Sequence, residues 1–198
     1  MTEGPDRTPP GPAAEIHVWR AYLDSDGWPV EDGLPAAERE RAARIAQPRR
    51  RRRWTSSRWA LRETLARYLD PEPAAIELVT AIGGKPALAD MSALRFNLSH
   101  SRDLALVAVT LRRDVGIDVE WIGKRSRAFY DEWVRREAIG KCFGGGLAEP
   151  PPAQPVRVAP LEFGAEWAAA LAVASTVELP VRRFELRPAP TRAAPARR

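Results

Sequence analysis

The chain has 198 residues, of which 44% are hydrophobic, and its formal net charge is +5. This length suits one domain or two small halves that share a core, and no run of about 18 apolar residues is present that could cross a membrane. The N-terminal residues lack the apolar segment of a secretory signal, and the single cysteine, Cys142, excludes an intrachain disulfide and a cysteine-based metal site. We therefore expect a cytoplasmic protein, whose positive charge favours phosphate-bearing partners or acidic protein surfaces.

The residue patterns alternate between helical and strand-like spacing of apolar side chains. In chain order they predict a strand at 15–23, helices at 35–46 and 54–69, short strands near 76–81 and 94–98, a hairpin of 104–111 with 115–122, a helix at 128–143, and a closing pair of strands at 166–175 and 180–186. The glycines at 144–146 end the third helix, and the proline-rich segment 149–155 is predicted to be a stiff linker. Segments 1–14 and 187–198 are polar or basic and rich in proline, which predicts disordered tails.

The order of these elements is mixed rather than a regular alternation of strand and helix, which indicates an α+β fold. A helix followed by a hairpin occurs in each half of the chain. This arrangement indicates two similar lobes, an N-terminal lobe at 15–111 and a C-terminal lobe at 112–186, although no sequence repeat accompanies it.

Two acids stand two residues apart in the predicted strand VGIDVEWI. Because alternate residues of a strand point to the same face, Asp118 and Glu120 face one way, and Val115, Ile117 and Val119 face the other. The two carboxylates repel each other unless their face is wet or a cation lies between them. Two interpretations follow: a solvated polar face of a half-buried antiparallel strand, or a pair of ligands for a hard cation such as Mg²⁺.

The predicted helix 128–143 carries Phe129, Trp133, Glu137 and Lys141 at intervals of four, so that they share one face. One interpretation is an aromatic contact with the core followed by a Glu–Lys pair on the surface. The other is functional. If Glu137 faces the two acids of the strand, three carboxylates converge on a metal site, and Lys141 one turn further on holds a phosphate.

The segment FNLSHS ends a predicted strand with a histidine between two serines. Ser99, His100 and Ser101 form no catalytic triad, because no carboxylate is placed to orient the histidine for attack by a serine. His100 is interpreted either as a loop residue that bonds backbone groups or as a residue that holds a phosphate oxygen when protonated. Upstream, the segment GGKPAL at 83–88 predicts a Gly-Lys-Pro turn with exposed backbone.

Taken together and in order, the motifs GGKP, FNLSHS, LVAV, GIDVE, WVRREAIGK and GGGL resemble the 4′-phosphopantetheinyl transferase superfamily, in its longer, two-lobed, Sfp-type branch. The resemblance implies transfer of the phosphopantetheine arm of coenzyme A to a serine of an acyl or peptidyl carrier protein. It further implies Mg²⁺ as the cofactor and adenosine 3′,5′-bisphosphate as the product that leaves. The implied fold is a pseudo-dimer, in which two similar α/β lobes of one chain enclose the active site at their interface. The protein is expected to act as a monomer, without a nucleic-acid or membrane partner.

The resemblance also assigns roles to residues by their positions in the motifs. Asp118, Glu120 and Glu137 resemble the magnesium ligands of the family, and Glu137 is the candidate to help remove the serine proton. Lys141 resembles the lysine that contacts the reacting phosphate, and His100 resembles the histidine on the pyrophosphate. The other predicted contacts with coenzyme A are Ser99 near the 3′-phosphate, Lys85 and Pro86 in the adenine pocket, Arg58 on the 3′-phosphate and, in a looser alignment, Arg41 and Arg44.

One departure from the family pattern is the short link of residues 121–132, where the longer branch usually has a longer segment that contacts the carrier protein. Two alternatives therefore stay open. A degenerate member of the family would bind coenzyme A or a carrier protein without transfer. A nucleic-acid binder would use the arginine run PRRRRRW at 48–54 to contact phosphates, although that run lacks a reading motif.

Overall fold

A computed structural model of the protein describes residues 14–81, 84–89, 92–144 and 154–188. Within these ranges the chain forms three α-helices and nine strands, which confirms the mixed α+β class. In chain order they are β1 (Ile16–Tyr22), α1 (Ala36–Ala43), α2 (Pro48–Leu65), β2 (Leu78–Thr80), β3 (Pro86–Leu88), β4 (Leu94–Ser101), β5 (Leu104–Leu111), β6 (Val115–Trp121), α3 (Arg127–Phe143), β7 (Val156–Leu161), β8 (Trp167–Ala174) and β9 (Val181–Leu186). In the described part of the chain, no helix has the length and hydropathy that a membrane crossing requires.

Two sheets pack face to face, and a helix covers the outer side of each. The first sheet has the strand order β4–β5–β1–β9, and the second has the order β6–β8–β7. Apolar side chains from both sheets form the core between them, among them Val18, Leu106, Ile117 and Leu171. α2 packs on the outer face of the first sheet and α3 on the outer face of the second. The short strands β2 and β3 form a separate ribbon.

The predicted strands are present, but two of the predicted pairings are wrong. The segments 104–111 and 115–122 do not form a hairpin, because β5 pairs with β4 on one edge and with β1 on the other. With both edges of β5 occupied, the chain crosses to the second sheet, where β6 pairs with β8. The predicted closing pair is also divided. β8 lies between β6 and β7, whereas β9 runs parallel to β1 in the first sheet.

The second helix is displaced from its predicted range, 54–69, toward the N-terminus. It begins at Pro48, and a proline suits the first turn of a helix because no hydrogen bond requires its missing N–H there. The arginine run that follows is helical, as expected of a residue with high helix propensity. Arg49 and Arg53 both pair with Asp24, so part of the positive charge of the run is neutralised within the chain.

The third helix matches its prediction because both of its ends carry strong local signals. The Ser126 hydroxyl caps the N-terminus by accepting a hydrogen bond from the Phe129 amide. At the other end, Gly144 adopts the left-handed conformation with a φ of 78°, which is typical of the residue after a helix. The predicted tails and the predicted linker lie almost entirely outside the described residues.

Candidate active site

An open cleft of about 390 Å³ lies where β4, β6 and α3 meet. Its lining consists of Leu98, Ser99 and His100 from β4, Asp118 and Glu120 from β6, and Trp133, Glu137 and Lys141 from α3. Six of these residues were singled out from the sequence as site residues, although they are spread over more than forty positions of the chain. The fold therefore brings most of the predicted site residues together.

Strand β6 separates its apolar and acidic side chains by alternation. Ile117 and Val119 are completely buried in the core between the two sheets. Asp118 and Glu120 point to the opposite side, toward α3 and β4. Asp118 is only 3% exposed, so this side of the strand is not a solvated polar face.

Only one of the two carboxylate oxygens of Asp118 accepts hydrogen bonds from the described residues. Its Oδ1 accepts hydrogen bonds from the Ser99 hydroxyl at 2.8 Å and from Lys141 Nζ at 2.5 Å. Its Oδ2 is buried and has no hydrogen-bond partner within the described part of the chain. A buried carboxylate oxygen without a partner is costly for a folded protein. This oxygen is thus the position in the cleft where a cation or a donor group would be most strongly favoured.

The other two acids of the cleft are more accessible. Glu120 is half-buried, and its Oε2 accepts a hydrogen bond from the Ser101 hydroxyl at 2.8 Å. Burial raises the pKa of Glu120, and the negative charges of Asp118 and Glu137 raise it further, while Ser101 and Lys141 oppose the shift. Within the described ranges, however, no three acidic, histidine or cysteine side chains are close enough together to enclose a metal ion unaided.

Helix α3 reaches the acids because it lies directly against the backbone of β6. A Cβ atom placed on Gly116 would be 2.1 Å from the carbonyl oxygen of Ala138 and 2.3 Å from the amide nitrogen of Cys142. Only glycine permits this approach. The close contact holds the last turns of α3 over β6, where the ammonium of Lys141 bonds both Asp118 and Ser99.

Phe129 and Trp133, the two aromatic residues that share a face of α3 with Glu137 and Lys141, are not part of the core. Phe129 and Trp133 are 38% and 39% exposed, and their rings stack with centroids 6.2 Å apart. The core-facing residues of the helix are instead Val134, Ala138 and Cys142. The interpretation of the aromatic pair as a core contact is therefore wrong, and Trp133 contributes to the wall of the cleft.

His100 lies at the mouth of the cleft on β4. Partial removal of the ring from water by the surrounding protein lowers the pKa of His100, and the positive charges of Lys141 and Arg58 lower it further. Part of the side chain is exposed to water, but the two cations act on the pKa in the same direction. The ring is therefore neutral near pH 7 and offers one N–H donor.

Arg58 is not among the residues that line the cleft. Its Nε and Nη2 donate to Oε1 of Glu38 at 2.8 and 2.5 Å, and it is 9% exposed. Arg41 lies beside it and stacks over the Trp54 ring at 5.9 Å. Arg44 is exposed, and its pairing with an acid one turn before it in α1 is loose, at 3.9 Å.

Sequence similarity to known proteins identifies the family to which the chain belongs. No family model matches the chain. The 4′-phosphopantetheinyl transferase HetI of Nostoc sp. is 33% identical over 168 residues, which cover 68% of this chain and 71% of the relative. The chain belongs to the 4′-phosphopantetheinyl transferase family. The transferase AcpT of Escherichia coli O157:H7 is 32% identical over 139 residues, covering 57% of this chain and 66% of the relative. A phosphopantetheinyl transferase of Thraustochytrium sp. is 33% identical over 118 residues, covering 54% of this chain and 40% of the relative.

Lys85 and Pro86, which were predicted to contact coenzyme A, lie outside the lining of the cleft. The ammonium of Lys85 donates to the backbone carbonyls of Val115 at 2.9 Å and Cys142 at 3.3 Å. It thereby ties the β2–β3 ribbon to the start of β6 and the last turn of α3. Pro86 lies in β3 opposite Thr80. The structure brings neither Lys85 nor Pro86 into the lining of the cleft.

Sequence reasoning assigned no role to several residues that shape the site. Ser101 and Asn97 bond the neighbouring strand, Gly116 sets the approach of α3, and Glu38 holds Arg58. The signal for the first two was available, because Asn97, Ser99 and Ser101 alternate along β4 and so share one face. Glu38 carried no such signal, since its partners lie twenty or more residues away in another helix.

Proposed function

We propose that the cleft transfers the 4′-phosphopantetheine group of coenzyme A to a serine of an acyl or peptidyl carrier protein, in a Mg²⁺-dependent reaction that releases adenosine 3′,5′-bisphosphate. The observation that carries the proposal is the buried Oδ2 of Asp118, which has no hydrogen-bond partner among the described residues and lies in one cleft with two further acids and a lysine. Membership of the transferase family supports the reaction type.

The residues fit a hard divalent cation. Mg²⁺ takes oxygen ligands and is usually held by one or two carboxylates together with substrate phosphates and waters. A complete protein cage of three carboxylates is therefore not required, and Asp118 with Glu120 and Glu137 supplies enough acidic oxygens. When bound, the cation would offset negative charge on the pyrophosphate of coenzyme A and on the leaving phosphate. We propose Asp118, Glu120 and Glu137 as its protein ligands.

Three side chains would handle the substrates. Lys141 would turn its ammonium toward the reacting phosphate from the edge of the acid cluster, because its Nζ already lies between Asp118 and Ser99. His100 would donate its one N–H to a pyrophosphate oxygen at the mouth of the cleft. Glu137 would accept the proton of the attacking carrier serine. In such a phosphoryl transfer the protein acts mainly by positioning the groups and stabilising charge.

The remaining proposed contacts with coenzyme A come from residues outside the lining of the cleft and from Ser99. Arg58 would bind the 3′-phosphate, as the family resemblance implies, with a guanidinium that Glu38 already holds through Nε at 2.8 Å. The ammonium of Lys85 is engaged by backbone carbonyls, so Lys85 and Pro86 would line an adenine pocket through their apolar atoms. Ser99 is buried against Asp118, which favours a role in holding that acid over direct contact with the 3′-phosphate.

We also propose that the chain has the two-lobed architecture of the Sfp-type branch and acts as a monomer. The halves 15–111 and 112–186 each place a helix on the outer face of a sheet, and the cleft lies where the two sheets meet. β9 joins the two halves, because it comes from the second half of the chain but pairs with β1 in the sheet of the first.

The test is an intact-mass assay with coenzyme A, Mg²⁺ and a panel of apo carrier proteins. The expected result is a carrier that gains the mass of one phosphopantetheine, with the gain abolished by EDTA. Binding of coenzyme A by calorimetry without mass gain on any carrier would instead support the alternative of a degenerate family member. That outcome would direct attention to the short link of residues 121–132.

A further inference from the structure

The two sheets are joined along one line by side chains rather than by backbone hydrogen bonds. β4 is an edge strand of the first sheet and β6 is an edge strand of the second. Three side chains of β4 accept hydrogen bonds from three backbone amides of β6 in the same direction along both strands. The bonds join Asn97 Oδ1 to Ile117 N at 2.9 Å, Ser99 Oγ to Val119 N at 3.3 Å, and Ser101 Oγ to Trp121 N at 3.2 Å.

We name this set of three bonds the side-chain ladder. Buried backbone amides of an edge strand must find acceptors, and in an ordinary sheet they find the carbonyls of the next strand. Here the acceptors are Asn97, Ser99 and Ser101, which lie on alternate positions of β4. The ladder therefore fixes the register of β6 against β4, and with it the position of every second residue of β6.

Two rungs of the ladder also hold the acids. The Ser99 hydroxyl accepts from the amide of Val119 and donates to Oδ1 of Asp118, the residue just before it. The Ser101 hydroxyl repeats this arrangement one step further on, because it accepts from the amide of Trp121 and donates to Oε2 of Glu120. Each serine thus binds an acid and the amide that follows that acid.

We propose that Ser101, together with Ser99, is a positioning residue that orients the two acids of the cleft for a divalent cation. The inference rests on the proposed function, because it takes Asp118 and Glu120 as metal ligands. A hydroxyl that donates to one oxygen of a carboxylate fixes the rotation of that carboxylate, as outer hydrogen-bond partners do at known metal sites. For Asp118 this leaves the buried Oδ2 directed away from the serine and free of other partners within the described residues.

The test compares Ser101→Ala with a matched control, Ser175→Ala. Ser175 is also a serine that donates one hydrogen bond and accepts one, both with Val177, and it is not part of the cleft lining. We expect Ser101→Ala to raise the Mg²⁺ concentration for half-maximal transfer about tenfold. We expect Mn²⁺ binding to the free protein, followed by electron paramagnetic resonance, to weaken by a similar factor. Ser175→Ala should leave both quantities unchanged, and Ser101→Thr, which restores the hydroxyl, should recover them.

A second measurement separates this inference from the proposed function. Amide hydrogen exchange of Trp121 reports the ladder directly, and it should accelerate in Ser101→Ala but not in Ser175→Ala. If the wild-type protein modifies no carrier, the proposed function fails, while Mn²⁺ affinity and amide exchange still decide the positioning role. Unchanged Mn²⁺ affinity in Ser101→Ala would overturn the proposal, whatever the exchange of the Trp121 amide.

Discussion

Two clusters of the described residues each combine a buried carboxylate with basic side chains, one around Glu38 and one around Asp118. They differ in how many oxygens of that carboxylate accept hydrogen bonds. In the first, Glu38 of α1 accepts from Arg58 on one oxygen and from Arg62 on the other, the latter at 2.8 Å. Arg62 further donates to the backbone carbonyls of Pro73 and Ile76, both at 2.9 Å. Every oxygen of the buried carboxylate is used, so this cluster holds α1, α2 and the following turn together.

The second cluster, around Asp118, is left incomplete. One oxygen of Asp118 is bonded by Ser99 and Lys141, and the other has no partner within the described residues. The first cluster is what a fold needs when it buries a carboxylate, because both oxygens of Glu38 accept hydrogen bonds from arginines. The second carries an unsatisfied acceptor into a cleft, which is costly for stability and useful for binding. The difference indicates that the carboxylate of Glu38 serves the fold, whereas the carboxylate of Asp118 is available to a cation.

The largest expected effect is on activity, from Asp118→Asn. The variant keeps the shape of the side chain but removes its negative charge, so Mg²⁺-dependent transfer should fall by at least about 100-fold. Asp114→Asn is the control, since Asp114 is an exposed acid just before the same strand, and it should retain full activity. A transfer rate of Asp118→Asn within twofold of wild type would show that the incomplete cluster is not the site.

The complete cluster should behave in the opposite way. Glu38→Gln leaves two buried arginines without a negative partner, and we expect it to lower the free energy of unfolding by about 3 kcal/mol. Its Mg²⁺ dependence should stay that of the wild type. Glu40→Gln, at an exposed acid of the same helix, should change stability by less than about 0.5 kcal/mol. Denaturant unfolding measures both, and equal stabilities of the two variants would contradict the account.

The approach of α3 to the incomplete cluster gives a third comparison. In Gly116→Ala the new methyl group would meet the backbone of α3 at Ala138 and Cys142, so the helix must shift. We expect a loss of about 1–3 kcal/mol in the free energy of unfolding, together with reduced transfer, because α3 carries Glu137 and Lys141. Gly123→Ala is the control, since a Cβ there would meet only the end of the Tyr130 side chain, at 3.0 Å. Equal activity and stability of the two alanine variants would show that the close approach is unimportant.

The smallest expected effect is a pH dependence of the complete cluster. Burial opposes ionisation of Glu38, but the hydrogen bonds and charges of Arg62 and Arg58 outweigh it and lower its pKa below the ordinary 4.5. The stability that Glu38 contributes is therefore fully present above pH 4.5 and is lost as the pH falls through its lowered pKa. The unfolding free energies of the wild type and Glu38→Gln should converge in acid. A constant difference between them down to about pH 2.5 would contradict this assignment.

Local patterns predicted much of this molecule. Alternation along β6 predicted that Ile117 and Val119 face the core while Asp118 and Glu120 point to the other side, and the glycines after α3 predicted where that helix ends. The motifs also selected six residues that the fold brings into one cleft. The directions of the β6 side chains and the end of α3 were predictable because their signals lie within a few residues of the features that they describe. The six cleft residues are spread over more than forty positions and were selected by their places in the family motifs.

The predictions that failed depend on contacts between distant parts of the chain. Alternation does not tell which edge a strand uses, so the pairing of β5 with β4 and β1 was missed, as was the parallel pairing of β9 with β1. The same holds for Lys85, whose ammonium bonds carbonyls thirty and fifty-seven residues away. The exposure of Phe129 and Trp133 depends on which face of α3 meets the sheet, and the small residues of that face decide it.

The most direct test of the central claim is a crystal structure of the protein with coenzyme A and Mn²⁺, in which anomalous scattering locates the metal. The account predicts one metal peak within about 2.6 Å of Asp118 Oδ2, and its loss in crystals of Asp118→Asn. A metal peak on the phosphates that makes no contact with Asp118, or one that persists unchanged in the variant, would contradict the claim that the incomplete cluster binds the cation.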